Sequence, residues 1–175
     1  MSRRVRIHRD KRQSYAEDMA RTARVITVSD RSARGEREDA SGPIAVAALR
    51  EAGFETDRVV IADGAESVER ALRAALADGI QLVITTGGTG LAPRDQTPEG
   101  TTRVVERTIP GIVEELRRRG AVETPHGMLS RGIAGTAGGA LIVNLPGSPA
   151  AVGSGIPIVL SVASHVIAQL DGGDH

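Results

Sequence analysis

From Arg24 onward the chain alternates short apolar runs with stretches of helical period. "RVITVSD" has the pattern of a strand ending at Ser29-Asp30, with a polar loop through "RSARGERED" behind it. "SGPIAVAALREAGF" predicts a helix with Ser41 as N-cap, Pro43 in the first turn and Gly53 as its stop. "ETDRVVIAD" predicts a second strand. In "AESVERALRAALADG", Val68, Ala71, Leu72, Ala75 and Leu76 fall on one stripe, the mark of an amphipathic helix that Gly79 ends. "IQLVITTGG" is apolar almost without alternation as far as Ile84, as expected of a strand covered on both faces. A glycine-rich loop follows, then a helix predicted from about Thr97 to Thr108 and another in "PGIVEELRRRG", with Pro110 early. "RGIAGTAGGALIVNLPGSP" predicts a hairpin turning near Gly138-Gly139, its second strand running from Ala140 to Leu145. The stretch from about Pro149 to Leu170 is helical in pattern, with a break or bend expected around Gly153 to Pro157.

Strands that alternate with helices point to an α/β protein: a three-layer α/β/α sandwich with a mostly parallel sheet plus a small β-hairpin. One domain is expected over residues 23–172, behind a basic tail at 1–22. In such sheets ligands bind beyond the carboxyl ends of the strands, so the strand-end loops are where chemistry should lie.

Composition removes much chemistry. The 175 residues include no cysteine, so disulfides, thiolate nucleophiles and zinc–thiolate sites are excluded. Lys11, in the tail, is the only lysine, which argues against a Schiff base or a P-loop. His8, His126, His165 and His175 show no ligand spacing. His126 suits the surface, and His165 a core or interface position. Aromatics make up 1%, Tyr15 and Phe54, and the formal net charge is zero. A neutral body without stacking platforms is not expected to bind nucleic acid. The cluster Arg3, Arg4, Arg6, Arg9, Lys11 and Arg12 is read as a solvated extension. No run of about 18 apolar residues and no signal-peptide core are found, so no membrane span and a cytoplasmic location are expected.

Three strands end suggestively: the first in Ser29-Asp30, the second in Asp63-Gly64, the third in "TTGGTGLAPRDQTPEGTT" (85–102). Gly87, Gly88 and Gly90 would let backbone N–H groups approach an anion, and Thr86 and Thr89 add hydroxyls. Thr97 is a plausible N-cap, with Pro98 at the first helical position and Glu99 in the first turn. A phosphate there, with Asp95 close by, would call for Mg²⁺ to offset the repulsion. The alternative is a strand-to-helix turn rich in breakers, and Asp63-Gly64 is equally a common turn pair. Asp63 and Asp95 would share one crevice if their strands were neighbours. "NLPGSP" is a second strand-end loop, where Ser148 could cap a helix and Asn144 could meet a polar ligand edge. In "LSRG", Arg131 could pair with a phosphate.

As a set, "VSDR" (28–31), "EDASGP" (38–43), "TTGGTGLAPRDQTPEGT" (85–101), "PGIVEELR" (110–117), "MLSR" (128–131) and "LIVNLPGSPAAV" (141–152) resemble the molybdopterin adenylyltransferase family, the MogA/MoaB group that includes gephyrin G domains. The resemblance spans about Arg24 to Leu170. It implies the MogA-like fold and an enzyme of molybdenum cofactor biosynthesis, which binds molybdopterin and Mg-ATP, transfers AMP to the pterin's terminal phosphate and releases pyrophosphate. It also implies a homotrimer, or a hexamer as in the MoaB branch, and a molybdenum-insertase partner downstream. Carried over residue by residue, Asp63 and Asp95 are the catalytic and Mg²⁺-holding carboxylates. Ser29, Asp30, Thr86, Gly87, Gly88, Thr89, Gly90, Thr97, Pro98, Glu99, Ser130, Arg131, Asn144, Pro146, Gly147 and Ser148 are the substrate-binding candidates. Among them the family's GGTG loop maps onto Gly87 to Gly90, and its pterin-side positions match Ser130 and the "NLPGSP" loop. The alternative is a non-catalytic MoaB-like or competence-damage-protein-like binding module. Gln96 and Gly100 depart from the family's usual Val and Ala, and "SPAAVGSGIP" departs from its more regular helix.

Overall fold

A computed structural model describes residues 21–172. Most of the proposed basic tail (1–20), with Tyr15, His8 and His175, lies outside the described residues, while Thr22 already opens the first strand. The elements run β1 (Thr22–Val28), α1 (Asp30–Ala33), α2 (Gly42–Glu51), β2 (Glu55–Ile61), α3 (Ala65–Ala77), β3 (Leu82–Thr86), α4 (Thr97–Thr102), β4 (Arg107–Thr108), α5 (Pro110–Glu123), a 3₁₀ turn (Pro125–Leu129), β5 (Ala134–Ala137), β6 (Ala140–Leu145) and α6 (Pro149–Leu170).

Six strands form one sheet in the order β2-β1-β3-β6-β5-β4. β2, β1, β3 and β6 run parallel, and β5 and β4 pair antiparallel beyond β6. The hairpin is therefore no appendage, because its second strand is part of the parallel core. Side chains alternate between two apolar layers. Val25, Leu82, Ile84, Leu141, Val143 and Leu145 face α2, α5 and α6. Ile26, Val28, Val83 and Ile142 face α3 on the other side. The three-layer arrangement follows from strands that are apolar on both faces.

Local departures have physical reasons. α4 is only six residues long, and the chain then straightens into β4, which pairs with β5. Thr97 is the first helical residue of α4 rather than its cap, since its hydroxyl donates to Gly87 O (2.8 Å) and Gln96 takes the cap position. Nor does Ser41 cap α2. Asp39 does so from outside, its Oδ1 accepting from the N–H groups of Ser41 (3.1 Å) and Gly42 (2.8 Å). Ser148 caps α6 as expected, accepting from Ala151 N–H (3.2 Å). His165 lies on the exposed side of α6, its Nε2 2.9 Å from Gln169 Nε2.

α6 is one unbroken helix, with no break at Gly153 to Pro157. Pro157 removes one N–H, but the Gly153 carbonyl it would have bonded is on an exposed residue. Gly155 lets the helix lie close to the sheet: a Cβ there would stand 3.0 Å from Leu145 and 3.1 Å from Leu116. Among the described residues this 22-residue helix is long and apolar enough, by length and composition alone, to cross a membrane. Small polar residues and prolines hid that from a count of apolar runs. Its inner face, with Val152, Ile156, Val159, Ala163 and Ile167, packs into the core.

Candidate functional site

Parallel strands deliver their following loops to one edge of the sheet. β1 has β2 on one side and β3 on the other, so successive crossovers diverge there and leave a crevice at the strand ends. A cavity of about 690 Å³ opens at this point. Among its lining are Ser29, Thr86, Gly87, Gly88, Thr89, Gly90, Asp95, Ser130, Asn144, Pro146, Gly147 and Ser148, all expected from sequence.

The glycine loop is shaped by closeness as well as by conformation. Gly87 (φ 103) and Gly88 (φ 61) occupy the left-handed region, where side chains are strained. A Cβ on Gly87 would stand 2.3 Å from Val28 O, and one on Gly88 would stand 2.4 Å from Thr97 Oγ1 and 3.3 Å from Asp63 Oδ1. Gly90 likewise leaves room for Asp95, whose Oδ2 would lie 2.8 Å from a Cβ there. The loop is thus wedged between β1 and α4, with one predicted carboxylate beside Gly88 and the other beside Gly90.

Asp63 and Asp95 do not come from neighbouring strands, because β1 lies between β2 and β3. They meet because the loop after Gly90 swings across the end of β1. Arg94 on that loop donates from Nε and Nη2 to the two oxygens of Asp30 (3.0 and 2.9 Å) and from Nη2 to Asp63 O (2.8 Å). Asp30 and Asp63 are joined reciprocally: the N–H of Asp30 donates to Asp63 Oδ2 (2.7 Å), and the N–H of Asp63 donates to Asp30 Oδ1 (3.0 Å). Burial pushes the Asp63 carboxyl above the ordinary carboxylate range, with the charges of Asp30 and Asp95 adding to it against the Asp30 N–H. Asp30 is held below that range by its hydrogen bonds to Arg94. A half-buried carboxylate crowded by two others has reason to accept a cation.

Several expected ligand residues lie behind the cavity wall. Asp30, Asp63, Thr97, Pro98, Glu99 and Arg131 are not among the cavity-lining residues. Asp30 is engaged by Arg94 and Asp63, and Thr97 and Pro98 are buried beneath the loop. Arg131 is turned toward protein groups. It donates to Gly90 O (2.8 Å) and Asp95 O (2.5 Å), and its Nη1 pairs with Glu99. Asn144 lines the cavity but its amide is spent, donating to Thr85 Oγ1 (2.9 Å) and Thr101 Oγ1 (3.0 Å) while Oδ1 accepts from Ile133 N–H (3.2 Å). It ties β6 to β3 and α4.

Asp39 and Ser41 also line the cavity, although sequence pattern alone does not mark them as site residues. Asp39 is almost buried and binds Thr27 Oγ1 (2.6 Å), the α2 N-terminus and Arg58. Burial pulls its carboxyl upward, and those three partners overcome that and hold it low. Ser41 Oγ reaches Thr86 Oγ1 (3.2 Å), which leaves a row of hydroxyls on the wall. The local hint is in "EDASGP", an aspartate ahead of a helix start. The far wall comes from α5 and the 3₁₀ turn, with Leu116, Arg117, Gly120, Gly127, Leu129 and an exposed His126. Gly120 and Gly127 cross so closely that a Cβ on Gly127 would stand 2.3 Å from Gly120.

Among the described residues no three His, Asp or Glu side chains cluster into a ready-made metal site. The carboxylate pair flanking an anion-shaped loop suits Mg²⁺ that arrives on phosphates and takes few protein ligands.

Residues 24–165 match a family model described as "Probable molybdopterin binding domain". A molybdenum cofactor biosynthesis bifunctional protein of Synechococcus elongatus is 40% identical over 94% of this chain and 54% of its own length. The chain spans about half the length of the bifunctional relatives it matches. A molybdopterin adenylyltransferase of Helicobacter pylori is 38% identical over 73% of this chain and 75% of its own. Among solved structures, the molybdopterin biosynthesis Mog protein of Mycobacterium ulcerans superposes with a TM-score of 0.83 at 42% identity, over 89% of this chain and 99% of that one.

Proposed function

The chain belongs to the "Probable molybdopterin binding domain" family, and from that premise we propose that it transfers the adenylyl group of ATP to the terminal phosphate of molybdopterin. One observation carries this reading. The GGTG loop and Asp95, which follow β3, and Asp63, which follows β2, converge beside one cavity. Nucleotidyl transfer asks a protein for positioning and charge neutralisation rather than for a nucleophile of its own. A chain without cysteine, whose single lysine lies in its N-terminal tail, fits that demand.

In this reaction an oxygen of the pterin phosphate attacks the α-phosphorus of ATP. The bond from that phosphorus to the bridging oxygen breaks, and pyrophosphate leaves with the electron pair. Backbone N–H groups of Gly88 to Gly90 and the Thr89 hydroxyl would hold phosphate oxygens as charge builds, while the Gly87 N–H is donated to Leu145 O (3.0 Å). Asp63 and Asp95 would hold Mg²⁺, which supplies charge neutralisation on the phosphates. Ser41 and Ser130 offer hydroxyls along the wall, and Arg117 keeps its guanidinium at the cavity while bonding Gly132 O (3.2 Å). A homotrimer is part of the proposal. α6 leaves Pro157 and Ala168 exposed and Ile158 half-buried, apolar surface suited to contact with copies of the chain. Light scattering on the purified chain would read the trimer directly.

The decisive experiment incubates the protein with molybdopterin, ATP and Mg²⁺ and measures pyrophosphate and adenylylated pterin. Both products are expected in equal amounts. Pterin binding without either product would leave a binding module and overturn the enzymatic reading.

A further inference from the structure

We infer that Arg131 is a positioning residue that fixes where Asp95 stands, and that it does not itself bind phosphate. This rests on the adenylyltransferase reading. Residues 91–94 form an exposed excursion between Gly90 and the half-buried Asp95. Arg131 ties both ends of it with one rigid group. Its Nε donates to Gly90 O (2.8 Å), and its Nη2 donates to Asp95 O (2.5 Å). The Arg131 N–H also donates to Thr89 O (2.9 Å), so backbone and side chain brace three carbonyls of the motif. Glu99, in the first turn of α4, holds the guanidinium from the far side through Nη1 and, at 3.4 Å, Nη2.

Within the bracket the Asp95 side chain is set by its own turn. Its N–H donates to Ala92 O (2.9 Å), and its Oδ2 accepts from Ala92 N–H (3.0 Å). A planar fork can span two carbonyls and a carboxylate at once, which an ammonium cannot. With most of its donors directed at protein groups, Arg131 has little left for a phosphate. Loss of the fork would free the excursion to sample many conformations and dilute the one that places Asp95.

Two variants and two readouts test this. In Arg131→Lys, hydrogen exchange of the peptide covering 90–96 should rise by about tenfold or more, with peptides of β3 and α3 unchanged. Its kcat for pyrophosphate release should fall on the order of 10²-fold, with KM for molybdopterin within about threefold. Glu99→Gln spares the carbonyl contacts, so it should show the same two changes at about two- to fivefold, even if Arg131→Lys fails to fold. A raised KM for molybdopterin at unchanged kcat would overturn the inference by making Arg131 a substrate ligand. Wild-type exchange in Glu99→Gln, with or without a folded Arg131→Lys, would also overturn it. Exchange is read without substrate, so a wild type that makes no product would refute the adenylyltransferase reading and leave the bracket to be judged separately.

Discussion

Asp95 and Asp63 occupy different environments, and their predictions differ accordingly. Asp95 lines the cavity on a loop held from outside. Asp95→Asn should keep molybdopterin affinity within a few-fold and lose turnover by about 10² or more, checked by steady-state kinetics against binding. Unchanged turnover would reduce Asp95 to a turn residue. Asp63 is held among two carboxylates, and burial with their charges raises its pKa above the ordinary 3.8. The folded chain therefore binds that proton more tightly than the unfolded chain. The stability this contributes is present below the ordinary value and is lost as pH climbs through the raised one. Asp63→Asn keeps an oxygen for the Asp30 N–H, so its Tm should exceed wild type by about 2 °C at pH 8. That gain should shrink toward zero near pH 4, and melting curves at both pH values decide the point. Both aspartates were singled out by the resemblance to the family, since "ADG" alone is equally a common turn. The roles of Asn144 and Arg131 were not, since their partners lie far away in the sequence.

Two departures from the family pattern make sense once elements are packed. Gln96 accepts the N–H of Ala65 (3.2 Å), the first residue of α3, whose own cap position is Gly64 and carries no side chain. A residue at the start of one helix thus caps another. At Gly100, α4 lies against α3 so closely that a Cβ would meet Ala65 O at 2.5 Å and Val68 Cβ at 2.8 Å. Helix propensity alone would favour Ala by ~1 kcal/mol, but overpacking costs about 1–3 kcal/mol. Gly100→Ala should therefore lower Tm by about 2–4 °C. A rise in Tm would show that the two helices separate freely. At this scale the long elements were readable because their apolar periods are long: α2, α3 and the β5–β6 hairpin fall where patterning puts them. Short elements were not. β4 has two residues and exists only because β5 offers it a partner. α4 stops early because the chain must reach that edge.

For the whole molecule, loops from three parallel strands line one cavity, so ligand binding there should report on global stability. Molybdopterin at about 100 times its Kd should stabilise the fold by about 2.7 kcal/mol. A rise in Tm with pterin concentration would show it, and a Tm that pterin leaves unmoved would contradict a site at this edge. The sequence by itself determined the class of fold and placed the glycine loop at a strand end, because period and turn chemistry are local properties, and its resemblance to the family proposed the two aspartates. Only the tertiary structure decided that β1 separates the strands leading to those aspartates, and that the loop crosses it to bring them together. It alone engages Arg131, Asn144, Thr97 and Glu99 with protein groups distant in the sequence. Hydrogen-bond partners are set by strand order and register, which sum many weak preferences along the chain and are written at no single position.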